Sequence, residues 1–234
     1  MRYAGRLAVL ILLHMNFAAE GARAQQKSSE LVKKQEDDSL VAEFADCVTA
    51  QNARRPAVDA FLRKIPDSDG FFDASMKAAD LHCLDAAGVR SHSGIQMKLQ
   101  PDTFRGALYP SLYRRDFGRK GPPAGLSALS PLRLSEEFDG PVESLPPEYA
   151  AGRLFGDCVV RQDPQESNVL LLAKPFASQE DAAIEQLKPA FASCIKQDQT
   201  LHLTRSNVRA SVGEAMYKLS RAAASSTGDS PGRR

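Results

Sequence analysis

Tryptophan is absent from the chain, and phenylalanine and tyrosine bring the aromatic share to only 7%. A cleft that stacks aromatic rings on sugars is therefore disfavoured. No CxxC pair, HExxH stretch or GxSxG elbow occurs in the 234 residues, so the sequence marks no zinc knuckle, metalloprotease helix or nucleophile elbow. Neither charge sign dominates, with 30 Lys and Arg against 29 Asp and Glu. That balance gives no electrostatic reason to expect nucleic acid or an anionic membrane as partner. Runs of β-branched residues are scarce and alanine and leucine are frequent, which points to helix.

No apolar run approaches the roughly 20 residues that span a bilayer. The longest, Leu7–Leu13, follows Arg2 and Arg6 and precedes Ala22-Arg23-Ala24, a small-x-small cleavage pattern. Residues 1–24 read as a signal peptide, which places the mature chain in the periplasm or outside the cell. No cysteine closely follows the apolar run, which argues against a lipid anchor.

What is present is a repeat. Phe44-Ala45-Asp46-Cys47-Val48 returns as Phe155-Gly156-Asp157-Cys158-Val159, and Cys83-Leu84 as Cys194-Ile195, each cysteine displaced by 111 residues. Phe104-Arg105-Gly106 with Leu112-Tyr113-Arg114 returns as Val208-Arg209-Ala210 with Met216-Tyr217-Lys218. In an oxidising compartment four cysteines are most simply read as disulfides. The duplication selects Cys47–Cys83 and Cys158–Cys194 from the three pairings, because each unit then closes on itself.

Periodicity predicts an all-α fold of two tandem disulfide-closed units, each of about four helices with at most a short extended segment. The layout is a disordered leader over 25–38, unit 1 over 39–115, a Gly/Pro-rich linker over 116–146, unit 2 over 147–221 and a disordered tail over 222–234. In unit 1 the inward stripes are Phe44 and Val48, then Val58 and Phe61, then Phe72, Met76, Ala79 and Cys83, then Phe104, Leu108 and Leu112. In unit 2, Val169 and Leu172 take the places of Val58 and Phe61, and Ser178 with Asp181 reads as a capping-box start. Val208, Val212, Ala215, Met216 and Leu219 give the cleanest stripe. Ile95–Leu99 reads as extended.

The paired motifs resemble those of a group of small exported bacterial proteins, found especially in alphaproteobacteria, that carry two copies of a pattern written roughly FADCV…C…LRGALAEALYR. The resemblance covers both units but neither leader nor linker. It brings with it no activity, cofactor or partner.

Asp46 and Asp157, Arg105 and Arg209, and Tyr113 and Tyr217 are doubled polar residues, candidates for structural ion pairing or for ligand binding. Features needed in both copies suit fold specification better than a reaction, and the expected pairs are Asp46 with Arg105 and Asp157 with Arg209. His92 between Ser91 and Ser93 lies in a polar loop without an elbow. His82 and His202 lack metal-ligand spacing, and Arg114–Lys120 reads as a solvated basic helix end. The sequence therefore favours a non-enzymatic envelope interaction or binding module, its partner an envelope protein or small ligand, with no catalytic residue, metal or cofactor. The alternative is a small periplasmic hydrolase with a site between the units.

Overall fold

The computed structural model describes residues 33–86, 100–131, 133–195, 201 and 203–226. The expected signal peptide, Ile95–Leu99, His92 with its flanking serines, and His202 lie outside them. The chain divides at Asp38. In the N-terminal part, residues 33–38 are helical and Lys34 Nζ stands 3.2 Å from Asp38, so this end of the expected leader carries regular structure.

Among the described residues there is no strand, and a sequence of four helical segments occurs twice. The first comprises α1 (33–50), α2 (Arg55–Leu62), a third segment split into α3 (Phe71–Ala78) and the single turn α4 (Cys83–Ala86), and α5 (Pro101–Phe117). The linker holds α6 (Leu134–Glu137) between two 3₁₀ turns, Leu126–Ala128 and Val142–Ser144. The second comprises α7 (Pro147–Gln162), α8 (Pro164–Leu172), α9 (Ser178–Cys194) and α10 (Arg205–Ser226). Pro56, Pro101, Pro147 and Pro164 all stand in first turns, where no amide donor is needed.

The stripes on the first and fourth helices of each unit are buried as their spacing predicts, Val208 to Leu219 included. They join one continuous core that runs through both units. The linker is packed: Leu126 enters that core, while Phe138 and Leu145 form a smaller one with Ile65.

Three expectations are corrected. In α3 the inward face is Phe71, Ser75 and Ala78, whereas Phe72 and Met76 are 58% and 45% exposed. Phe71 packs on Phe61 at 5.1 Å between ring centroids, and the helix stops at extended Ala79 (φ −63°, ψ 149°). In α8 the inward residues are Ser167, Leu170 and Leu171, and Val169 and Leu172 are exposed. Asp163 alone joins α7 to α8, capping it by accepting the Glu166 N–H at 2.9 Å, whereas residues 51–54 join α1 to α2. The shorter joint shifts the correspondence of the second helices. Finally, α10 runs on to Ser226 with Ala223 and Ala224 buried, into what the composition marks as tail.

Candidate functional site

Both disulfides lie within units: Cys47–Cys83 with Cα atoms 5.6 Å apart, and Cys158–Cys194 with 5.7 Å. Each ties the first helix of its unit to the end of the third segment.

The doubled arginines share a role that the sequence did not reveal. Arg209 Nη1 donates to the Leu170 carbonyl at 2.8 Å, and Nη2 donates to those of Leu171 (3.1 Å) and Ala173 (2.7 Å). Arg105 Nη1 reaches the Phe61 and Lys64 carbonyls at 3.5 and 3.3 Å. Each arginine thus satisfies orphan carbonyls where the second helix of its own unit ends, the negative pole of that helix. Neither pairs with the doubled aspartate. Arg209 pairs with Glu180 at 2.9 Å, and Arg105 with Glu214 at 3.6 Å. Asp46 accepts from Ser111 at 2.5 Å and from Arg114, while Asp157 meets Arg161 at 2.6 Å and Arg153 at 3.6 Å. The expected pairs fail because α1 and α7 present their aspartates to other partners, while the arginines turn towards helix ends.

The doubled tyrosines reach across the repeat. Tyr113, on unit 1's fourth helix, donates to Asn168 of α8 at 2.7 Å. Tyr217, on unit 2's, accepts from Arg55 of α2, and burial pushes its hydroxyl up to about 12. Along Arg114–Lys120 the residues Arg115, Arg119 and Lys120 are exposed, as a solvated basic end requires, whereas Arg114 is half-buried. Arg114 donates to Leu171 O at 3.1 Å, and Arg115 to Thr49 O at the close of α1. His82 forms part of a turn, its amide donating to Asp80 at 3.0 Å.

A buried polar network joins α5, α6, α7 and α10. Arg105 Nη2 donates to the hydroxyls of Tyr109 (3.1 Å) and Tyr149 (2.9 Å), and Tyr149 donates to Glu214 at 2.6 Å. Lys218 reaches both Glu214 and Glu137, and Arg153 meets Glu137 at 2.9 Å. Burial opposes ionisation of Glu214, but Lys218, Arg105 and Arg153 overcome it and hold the carboxyl at about 2. Burial pushes Tyr109 and Tyr149 well up and Lys218 down. Of this network only Arg105 is among the candidate residues that the repeat marks. Glu214 and Lys218 stand four apart, a spacing that ordinarily marks an exposed helix pair.

The network forms one wall of a cleft of about 330 Å³. Gly106, Gly152, Ala210 and Ser211 line it where helices α5, α7 and α10 approach closely. A Cβ on Gly106 would stand 2.9 Å from that of Ala210, and one on Gly152 would stand 3.2 Å from Ser211 Oγ. Phe155, Leu201 and Leu203 supply apolar surface, and Asp67, Asp102 and Glu148 add carboxylates. Burial, with Asp67 nearby, raises the Asp102 carboxyl above its ordinary value. Among the described residues no three His, Cys, Asp or Glu are grouped to hold a metal ion. No family model, curated protein or solved structure matches the chain.

Proposed function

We propose that this is an exported, non-enzymatic binding module of the periplasm or extracellular space, with the cleft between its two units as the ligand site. The carrying observation is the cleft wall: Arg105 and Glu214 are buried, half-buried Tyr149 hydrogen-bonds to both, and all three are driven away from titration near neutral pH. A wall of that kind is preorganised for recognition and poorly suited to passing protons. Two disulfides support the oxidising location, and no described helix is long and apolar enough to cross a membrane.

The test has two arms. Fractionation of the native cell should place a chain starting at Gln25 outside the cytoplasm. Protein-observed NMR against a chemically diverse fragment library should give shifts centred on Gly106, Gly152 and Ser211. Cytosolic full-length protein, or fragments that never perturb the cleft, would overturn the reading.

A further inference from the structure

We infer that the cleft selects a small monocarboxylate, one carboxyl group on a short apolar body. This rests on the cleft being the binding site, and adds the chemistry of what it holds.

A guanidinium has five N–H donors, and those of Arg105 can be assigned one by one. Nη1 serves the Phe61 and Lys64 carbonyls, and Nη2 serves the Tyr109 and Tyr149 hydroxyls. The fifth, Nε–H, is buried with no acceptor among the described residues, on a residue that is 2% exposed and lines the cleft. A buried donor without an acceptor is costly. Because it is already shielded from water, a ligand oxygen that meets it displaces no solvent hydrogen bond.

The charge balance asks for the same acceptor. In the buried network Arg105, Arg153 and Lys218 face two carboxylates, Glu214 and Glu137. Asp157 also approaches Arg153, at 3.6 Å, but it is matched by Arg161 at 2.6 Å. Three cations against two anions leave one positive charge in the wall unbalanced. The start of α10 adds to it: Asn207 of its first turn lines the cleft, and that turn holds no acidic residue. The starts of α5 and α7 meet the cleft too, but Asp102 and Glu148 answer their dipoles. These two carboxylates and Asp67 are exposed. A carboxylate seated against Arg105 leaves the ligand's other end among them, where a second negative charge would be repelled. Phe155, Leu201 and Leu203 offer surface suited to methylenes, and a cleft of about 330 Å³ admits a small molecule rather than a peptide.

The probes are pentanoate, its neutral amide pentanamide, the cation pentylamine and the dicarboxylate glutarate. Each is titrated into the oxidised protein by calorimetry and by NMR of the arginine Nε–H groups. Pentanoate should bind about tenfold more tightly than each of the others, since a charge-assisted hydrogen bond exceeds a neutral one. It should also move the Arg105 Nε–H resonance downfield. Asn207→Asp places a carboxylate at the start of α10, where it favours the helix, so the fold is kept while pentanoate affinity falls about tenfold. Pentanamide, pentylamine or glutarate binding in the cleft as tightly as pentanoate would overturn the monocarboxylate assignment while leaving the binding module standing. Absence of pentanoate binding, an Arg105 Nε–H that binding leaves unmoved, or an affinity unchanged by Asn207→Asp would also overturn it. A cleft that no fragment perturbs would remove both.

Discussion

Gly106 on α5 and Ala210 on α10 are equivalent positions of the two repeats, and they face each other, a Cβ on the glycine falling 2.9 Å from that of the alanine. Further along the same pair of helices, Pro110 packs into the space left by Gly213, and the rings of Phe117 and Tyr217 lie 6.3 Å apart. Residue numbers rise together on both helices, so the two fourth helices run side by side in the same direction. The units are thus joined through a pseudo-symmetric seam. That seam also floors the cleft, which is why no single unit could form it.

The closeness of this seam is directly testable. Gly106→Ala forces a methyl group against a β-carbon that cannot rotate away, and should cost about 1–3 kcal/mol. Ala210→Gly relieves nothing in the native protein and should cost about 1 kcal/mol through helix propensity. The exchanged double variant should recover at least roughly 1 kcal/mol relative to the sum of the singles. Denaturant unfolding of all four proteins measures this, and additive losses would mean that the two positions do not touch.

Glu214 sets the acid limit of the fold. Its carboxyl lies at about 2 in the folded protein against 4.5 when unperturbed. A depressed carboxylate contributes stability that is complete above the unfolded value and disappears as pH falls towards the folded one. The window is therefore pH 4.5 down to 2, and the contribution lost across it is roughly 3 kcal/mol. Glu214→Gln should be less stable at pH 7 and show a flatter stability profile through that window. An unchanged slope would place the acid sensitivity elsewhere.

How far the fold was legible in the sequence follows from which interactions are local. The cysteine spacing and the 3.6-residue stripes of α1, α5, α7 and α10 are properties of one helix or one unit, and they read through directly. The faces of α3 and α8 differ from those the periodicity predicts because a joint of different length, or an extended Ala79, rotates a short helix without altering its periodicity. The polar partners were beyond reach for another reason. Arg105 was singled out, but its anion Glu214 comes from the other unit, and Glu137 comes from a linker read as connective. A charged residue on an otherwise apolar stripe was the available signal: Glu214 stands between Val212 and Met216.

Each disulfide should matter separately. A loop closed over 36 residues is worth about 3–4 kcal/mol by the chain-entropy account. Replacing Cys158 and Cys194 together by alanine should cost about that much. Non-reducing peptide mapping of the native protein should recover only the two within-unit pairs. A fragment linking Cys47 to Cys158 would contradict the arrangement.

The strongest single loss should come from Arg209. Its guanidinium is buried, it meets three carbonyls around the end of α8, and it neutralises Glu180, itself buried at the start of α9. Glu180 in turn accepts the Phe176 amide at 2.7 Å, so it is Glu180 rather than Ser178 or Asp181 that secures the entry to that helix. Arg209→Ala strands one buried charge and unsatisfies several carbonyls at once, and should cost about 3–5 kcal/mol. Arg209→Ala combined with Glu180→Ala should cost less than the two singles together, because the second change removes the stranded charge. Asp157→Ala should add independently to Arg209→Ala, since Asp157 is engaged with Arg161 and Arg153. A double-mutant cycle by chemical denaturation separates the cases. Coupling to Asp157 with none to Glu180 would reverse the assignment and return the doubled aspartates to the pairing that the repeat alone suggests.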